Sequence, residues 1–202
     1  MTDPVASQPL GTLLGAIAAK IPAPGGGAAT GVVGATAAAL AGMVVSFSVG
    51  RKAFAEHAAF LEDAAARLAR ARAVFLMLAD EDAAAFGELN RLMRLPEGDP
   101  EREAGWAAAV DAAMAPPRAT LAAACDLLRI CEALCGRSNR QLRSDLALAA
   151  IQAEATARGA AVNVAINLPL LPPERRSVLE AETGAMVAEA RARTERVERA
   201  CA

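Results

Sequence analysis

The stretch GGGAATGVVGATAAALAGMVVSFSVG, residues 25–50, decides the fold of this chain. It contains no charged residue, and most of its residues are Gly, Ala, Ser or Thr. Small residues recur at every fourth position in two rows, which are Gly34, Ala38, Gly42, Ser46 and Gly50, and Gly27, Gly31, Ala35 and Ala39. This spacing lets two helices approach closely. We therefore expect close neighbours at Gly34, Gly42 and Ser46.

The same stretch is long enough to cross a lipid bilayer. Its residues are only weakly hydrophobic, however, and no second apolar span accompanies it in the sequence. These two observations favour a buried central helix over a membrane anchor. The sequence thus predicts a protein that has no membrane partner.

The composition of the whole chain also favours helices. Alanine, the best helix former, accounts for 54 of the 202 residues, whereas aromatic residues make up 3% and tyrosine does not occur. A β protein would need more aromatic and β-branched residues. We predict one all-α domain over residues 1–202, a helical bundle built around the long small-residue helix.

Charge and cysteine content exclude several classes of function. The net charge of −2 gives no basic field that would attract nucleic acid. The four cysteines form no CxxC pair and have no histidine nearby, which argues against a metal site and for buried thiols in a reducing compartment. The N-terminus lacks the basic region of a secretory signal. We expect a cytoplasmic protein.

Hydrophobic periodicity and helix-ending residues divide the chain into six helical segments. They lie near residues 7–20, 27–49, 51–95, 100–134, 144–159 and 174–199. Pro116 and Pro117 predict a kink or break in the fourth segment. The sequence VNVAINL, residues 162–168, alternates like a strand, yet Asn163 and Asn167 also lie one helical turn apart. Both interpretations of that segment stay open.

The turn IPAPGGG, residues 21–27, is a candidate binding element. It lacks the Gly-Lys-Ser/Thr sequence of a P-loop, and a helix precedes it where a dinucleotide fingerprint needs a strand. A glycine-rich entry to a helix exposes N–H groups at the positive end of the helix dipole. The turn either lets two helices pack closely or binds an anion or a carbonyl oxygen.

Asp82 lies at a core-facing position of an apolar stripe. The other members of that stripe are Phe75, Leu78, Phe86, Leu89 and Met93. A buried carboxylate is costly unless it is paired or hydrogen-bonded. Asp82 therefore marks a structural ion pair, a helix break, or a catalytic acid or base.

Lys52 is one of two lysines among 21 basic residues. The pKa of an ammonium group can be lowered so that it donates a proton, which a guanidinium cannot do. Lys52 is therefore a candidate proton donor. The alternative is that a lysine occupies this position by chance and has no special role. Ser144 and Asp145 follow a polar turn and are candidate caps of the fifth helix.

Several stretches together resemble the formiminotransferase-cyclodeaminase and methenyltetrahydrofolate cyclohydrolase family. PAPGGGAATGVVGATAAALAGMV followed by VGRKAF is similar to the family pattern PxPGGG…GALGAAL…GKKxF. DEDAAAF with the later Leu-Pro resembles D-x-D-x-x-A-F…LP, SNRQLRSD resembles GNxNSxSD, and NVAIN resembles NVxIN. These matches cover nearly the whole chain in order.

The resemblance implies an all-helical homodimeric folate enzyme that needs no cofactor beyond its tetrahydrofolate substrate. The implied catalytic residues are Asp82, Lys52 and Asp145. The implied substrate-binding residues are Pro24, Gly25, Gly26, Gly27, Asp80, Asn139, Arg140, Ser144, Asn163 and Asn167. Gln141 and Leu142 depart from the family pattern, which often has Asn and Ser there, and these changes leave the exact reaction open.

Two reactions at one carbon are implied by this resemblance. A cyclohydrolase adds water to the 5,10-methenyl bridge of tetrahydrofolate and gives 10-formyltetrahydrofolate. A cyclodeaminase closes the same bridge from 5-formiminotetrahydrofolate and expels ammonia. The chain has no formiminotransferase domain, so we expect the cyclohydrolase, with the cyclodeaminase and a non-catalytic folate-binding dimer as alternatives. Arg137, Arg140 and Arg143 are either an entrance for the folate tail or a solvated surface.

Overall fold

The computed structural model describes residues 3–202 and contains helices and turns but no strand over that range. The six α-helices are α1 (Leu10–Ala18), α2 (Gly26–Ser46), α3 (Ala58–Met93), α4 (Pro100–Leu134), α5 (Arg143–Asn167) and α6 (Pro173–Cys201). Short 3-10 turns span Val5–Ser7, Lys52–His57, Arg140–Leu142 and Leu168–Leu170. The predicted all-α bundle is confirmed.

Helix α2 packs against both α3 and α5. Glycines permit both contacts. A β-carbon on Gly34 would lie 2.7 Å from the ring of Phe75 in α3, and a β-carbon on Gly159 in α5 would lie 2.8 Å from the hydroxyl of Thr30. Both distances are shorter than real β-carbon contacts, so a larger residue at either position would force the Phe75 ring or the Thr30 side chain, or the helix that carries it, to shift.

The expected close neighbour at Gly42 is wrong, because no heavy atom lies within 4 Å of a β-carbon built there, and Ser46 is exposed. The reason is helical geometry. At about 100° per residue, a row of every fourth residue rotates by about 40° per step, so Ser46 faces about 120° away from Gly34. The buried side of α2 instead continues through Ala41, Val44 and Val45.

Helix α4 continues through Pro116 and Pro117, so the expected break does not occur. Both prolines are buried. A proline in a helix leaves the carbonyl four residues earlier without its usual donor. For Pro117 that carbonyl belongs to Ala113, and a side chain of α5 contacts it, as described below.

The segment VNVAINL is helical, because α5 continues to Asn167. The alternating apolar residues of this segment do not share one buried face, since Val164 is buried whereas Val162 and Ile166 are exposed. The start of α5 also differs from the prediction. Leu142 occupies the N-cap position, and the side chain of Asn139 instead caps the preceding 3-10 turn by accepting a hydrogen bond from the Gln141 N–H.

One helix among the described residues, α2, is long and apolar enough to cross a membrane. Half of its most apolar window is buried inside the bundle. Burial against α3 and α5 is what the sequence predicts for a central helix of a folded protein. The outward side of α2 still exposes Val33, and Phe47, the residue that follows the helix, is exposed as well.

Candidate active site

A cavity of about 380 Å³ opens where the glycine-rich turn enters α2. The turn forms one wall, α3 a second, and α4 and the end of α5 the rest. Its lining residues are Pro22, Ala23, Gly25, Gly26, Gly27, Asp82, Ala83, Phe86, Leu89, Met93, Ala113, Asn163, Ile166, Asn167 and Leu170. Most of the lining is apolar, with a few polar groups converging on one side, as is typical of small-molecule sites.

Asp82 carries the charge of this cavity. Within residues 3–202 it is the one charged side chain in the lining, and no hydrogen bond or ion pair to its carboxylate is formed there. Burial raises the pKa of the Asp82 carboxyl above its ordinary value. An unpaired, partly buried carboxylate in a cavity fits the catalytic interpretation and not the structural ion pair.

Gly27 is what lets the carboxylate reach this position. A β-carbon at residue 27 would overlap with the Asp82 carboxyl group, so any larger residue would displace it. Gly27 lies in the first turn of α2, and the N-cap residue Gly25 offers no side chain to cap the helix. The N–H groups of that first turn have no partner further back in the helix, and they border the cavity together with Asp82.

Asn163 and Asn167 bring two amide side chains to the same cavity from the last turns of α5. The Asn167 amide nitrogen lies 3.2 Å from the Asn163 carbonyl and 3.4 Å from the Ala113 carbonyl. The second acceptor is the carbonyl that Pro117 leaves without a helical donor. Pro117 thereby creates an acceptor that holds the Asn167 side chain. The sequence analysis did not predict this role of Pro117. The signal in the sequence was a proline inside a helical segment, which leaves one carbonyl free to accept a hydrogen bond.

The other predicted site residues lie at the opposite end of the bundle. Lys52 is exposed in the 3-10 turn after α2, and Ser144 and Asp145 lie in the first turn of α5. Asn139 is buried beside them, and its N–H donates to the Ser48 hydroxyl at 2.8 Å. Arg140 borders this region. Because α2 has 21 residues, about 30 Å of helix separates this group from Asp82.

We call the first group, Gly25–Gly27, Asp82, Asn163 and Asn167, the cavity cluster, and the second group, Lys52, Asn139, Arg140, Ser144 and Asp145, the distal cluster. Pro24 lies in the turn between the lining residues Ala23 and Gly25. Asp80 belongs to neither cluster. Its carboxylate accepts a hydrogen bond from the Val5 N–H at 3.0 Å and so attaches the N-terminal turn to α3.

Among the described residues, no group of three or more His, Cys, Asp or Glu side chains is placed to hold a metal ion. Cys125, Cys131 and Cys201 are buried free thiols, and Cys135 is partly buried. Burial raises the pKa of Cys131 to about 12, which keeps that thiol protonated. The chemistry available at the cavity cluster is therefore that of a carboxylate, two amides and backbone N–H groups.

Comparisons with known proteins identify relatives of this chain. A methenyltetrahydrofolate cyclohydrolase of Methylorubrum extorquens is 29% identical over 165 residues, which cover 80% of this chain and 79% of that protein. The formimidoyltransferase-cyclodeaminase of Sus scrofa is 35% identical over 167 residues, but this chain spans only 30% of its length. The crystal structure of the formiminotetrahydrofolate cyclodeaminase of Thermotoga maritima has a TM-score of 0.88 and 28% identity, and it covers 98% of this chain and 97% of that one.

The family model described as Formiminotransferase-cyclodeaminase matches residues 9–185, which include both clusters. The resemblance inferred from the sequence motifs is thereby confirmed, and the chain belongs to the formiminotransferase-cyclodeaminase family.

Proposed function

We propose that this chain is a methenyltetrahydrofolate cyclohydrolase. The observation that carries the proposal is the Asp82 carboxylate, which faces the cavity without a partner in the part of the chain that the structure describes. A methenyl bridge is a cationic amidinium, and a cavity whose one charged lining group is a carboxylate favours a cation. The relative from Methylorubrum, which this chain covers over most of its length, has this activity by name.

The reaction needs one proton acceptor and one proton donor near the bridging carbon. Water adds to that carbon, and Asp82 takes one proton from the attacking water. The C–N5 bond then breaks, the carbonyl of the formyl group forms on N10, and N5 takes up a proton. One water proton thus ends on N5 and the other is released, which balances the charge of the cationic substrate.

The surroundings of Asp82 suit this role. The cationic substrate lowers the pKa of the carboxyl that burial has raised, because an opposite charge favours the ionised form. The N–H groups of the first turn of α2 are donors that orient a carbonyl oxygen of the substrate. The amide nitrogen of Asn167 already donates to two carbonyls, so its amide oxygen is the atom left to accept a hydrogen bond from a substrate N–H. Lys52 is our candidate for the protonation of N5, and Asp145 for its orientation. Both lie about 30 Å from Asp82 within one copy, so they serve this cavity only from the second copy of the homodimer proposed below.

A cyclodeaminase is the second candidate, because the Thermotoga protein with that activity matches nearly the entire fold. Both reactions pass through a tetrahedral carbon that bears two nitrogens, so the cavity cluster serves either one. Gln141 and Leu142 replace the Asn and Ser common in the family. Gln141 keeps an amide on a longer side chain, whereas Leu142 removes a hydroxyl group beside the distal cluster. The loss of this polar group is compatible with a lost ammonia step and is our reason for placing the cyclohydrolase first.

The proposal is tested by a parallel assay of the purified protein with methenyl and formimino substrates. We expect loss of the methenyl absorbance at a rate above the buffer-catalysed rate, and no ammonia from the formimino substrate. Ammonia release would instead establish the cyclodeaminase. Binding of either compound without turnover would show the non-catalytic folate-binding protein and would overturn the proposal.

We also propose that the enzyme is a cytoplasmic homodimer that requires no metal or cofactor and binds neither nucleic acid nor membrane. Treatment with a chelator should leave turnover unchanged, and light scattering should give twice the mass of 20.6 kDa. A loss of activity that a divalent cation restores would contradict the proposal that no metal is needed.

A further inference from the structure

We propose that Pro117, which does not line the cavity, is a positioning residue that sets the substrate specificity of the site. It acts through Asn167, whose amide oxygen is held toward the cavity and selects a ligand ring that presents an N–H group there. This inference rests on the proposed function, because it takes the ligand to be a tetrahydrofolate. It goes beyond that function in naming the group that reads the ring and the residue that orients this group.

The first step is the free acceptor that Pro117 creates in α4. A helical residue donates its N–H to the carbonyl four residues earlier, and proline has no N–H. The carbonyl of Ala113 therefore lacks its helical donor, although Ala113 is buried and borders the cavity. A buried acceptor without a donor is costly. The Asn167 amide nitrogen, 3.4 Å from this oxygen, is the donor that the fold supplies.

The second step is the orientation of the Asn167 amide. Its nitrogen carries two hydrogens, and two carbonyl oxygens accept them, that of Ala113 and that of Asn163 at 3.2 Å. A half-turn of the amide would place Oδ1 against both acceptors with no hydrogen between them. The nitrogen therefore faces the two carbonyls and the oxygen faces away from them. Within residues 3–202, no donor bonds to that oxygen.

The third step is the fixed backbone that carries Asn167. This residue ends α5, where the last carbonyls of a helix have no partner within the helix. Arg176 of α6 donates to three carbonyls of the turn that follows, those of Leu168 at 3.2 Å and of Pro169 and Leu171 at 3.3 Å. The end of α5 is thereby attached to α6. Only the direction of the Asn167 side chain remains to be set, and its two acceptors set it.

The chemical class of the ligand follows from the groups around the cavity. Asp82 supplies a negative charge, and the first turn of α2 supplies N–H donors. Asn167 adds an acceptor that carries no charge, so it suits a neutral N–H donor. The ring system of a tetrahydrofolate offers such donors at N3, at N8 and at the 2-amino group. A ring with a bare nitrogen at the same place would meet the amide oxygen with a second lone pair and leave it unsatisfied.

Binding of isosteric ligands tests this selection. Calorimetry compares tetrahydrofolate with its 3-deaza, 8-deaza and 2-desamino analogues, each of which lacks one N–H donor and adds no bulk. Tetrahydrofolate has no methenyl bridge, so the measurement does not depend on turnover. We expect the Kd of one analogue to exceed that of tetrahydrofolate by about 10-fold or more. In Asn167→Ala, this one Kd ratio should fall to about 1, while the ratios of the other two analogues stay as they are.

Pro117→Ala tests the positioning role. The substitution returns an N–H to the Ala113 carbonyl, so the amide of Asn167 is free to turn. We expect the same Kd ratio to fall by about threefold or more. Pro116→Ala is the matched control, because Pro116 is also buried but faces the carbonyl of Ala112, an exposed residue that Asn167 does not contact. Its ratio should equal that of the wild type. A purely structural role would weaken all ligands alike and leave every ratio unchanged.

Three results would overturn the proposal. Wild-type protein that binds all three analogues as tightly as tetrahydrofolate would do so without any variant. Unchanged ratios in a folded Asn167→Ala protein would show that another group reads the ring. A wild-type ratio in Pro117→Ala, together with its loss in Asn167→Ala, would remove Pro117 from the selection.

Turnover separates this inference from the proposed function. Selection among the analogues by a protein that does not hydrolyse the methenyl bridge would refute the cyclohydrolase alone. Hydrolysis by a protein that binds all the analogues equally would refute the selection alone. A protein that binds neither tetrahydrofolate nor any analogue would contradict both.

Discussion

Gly27 lies against the carboxylate of Asp82 so closely that a β-carbon at residue 27 would overlap with both carboxylate oxygens. The glycine-rich turn thus has a steric function at the candidate active site. It lets the first turn of α2 approach α3 at the position where α3 carries its unpaired carboxylate. The packing and ligand-binding interpretations of this turn are therefore both compatible with one structure.

Gly27→Ala should lower turnover by about 10²-fold or more, because Asp82 must leave its position to make room for the methyl group. Helix formation itself favours alanine over glycine by about 0.5–1 kcal/mol, so the variant should still fold. Steady-state kinetics and circular dichroism check both statements. Gly42→Ala on the same helix is the matched control, since nothing lies within 4 Å of its β-carbon. Unchanged kinetics in Gly27→Ala would show that turnover does not require the Asp82 carboxylate at its observed position.

The pH dependence of stability should also identify Asp82. Burial raises the pKa of this carboxyl in the folded state, so the folded protein binds its proton more tightly than the unfolded chain does. Ionisation therefore destabilises the fold as pH rises through the window between the ordinary aspartate pKa, about 3.9, and the raised value.

Asp82→Asn removes this penalty. Its Tm should exceed that of the wild type at pH 7, and the difference should shrink as pH falls below about 4, where the wild-type carboxyl is protonated in both states. Thermal unfolding followed by circular dichroism at several pH values makes the comparison. A lower Tm for Asp82→Asn at pH 7 would indicate a structural ion pair.

Pro117 and Asn167 should be coupled. Asn167→Ala leaves the Ala113 carbonyl without a donor and should cost about 1–3 kcal/mol of unfolding free energy. In Pro117→Ala, the new N–H can bond to that carbonyl, so removing Asn167 should then cost less. A double-mutant cycle by urea unfolding measures the difference. Additive effects would show that Asn167 does not depend on the proline.

Gly34→Ala should destabilise the protein by about 1–3 kcal/mol, because the methyl group would lie 2.7 Å from the buried ring of Phe75. Gly42→Ala should not, since its surroundings are open and alanine favours the helix. Urea unfolding compares the two variants. Equal stability would mean that α2 and α3 separate easily at this point.

The sequence predicted most of the helices and drew attention to the glycine run and to Asp82, and for a physical reason. A run of glycines and a carboxylate on an apolar stripe are local signals, whereas the binding role of Asn163 and Asn167 was implied only by the family resemblance. Distances between segments are not local. Nothing in the spacing of Lys52 and Asp82 shows that α2 separates them by its full length.

Two other features depended on tertiary context. Gly42 belongs to the four-residue row of small residues, but the 3.6-residue helical period rotates it away from the contact that Gly34 makes. A break was predicted at the prolines of α4 because the sequence shows only their local effect, the loss of a backbone hydrogen bond. The Asn167 side chain, 50 residues further along, contacts the carbonyl that Pro117 leaves open.

The turnover of Asp82→Asn with the methenyl substrate tests the central claim most directly. The substitution keeps the shape of the side chain and removes its charge, so kcat should fall by about 10²–10⁴-fold while the protein remains folded. A folded Asp82→Asn enzyme that hydrolyses the methenyl bridge at the wild-type rate would contradict the account.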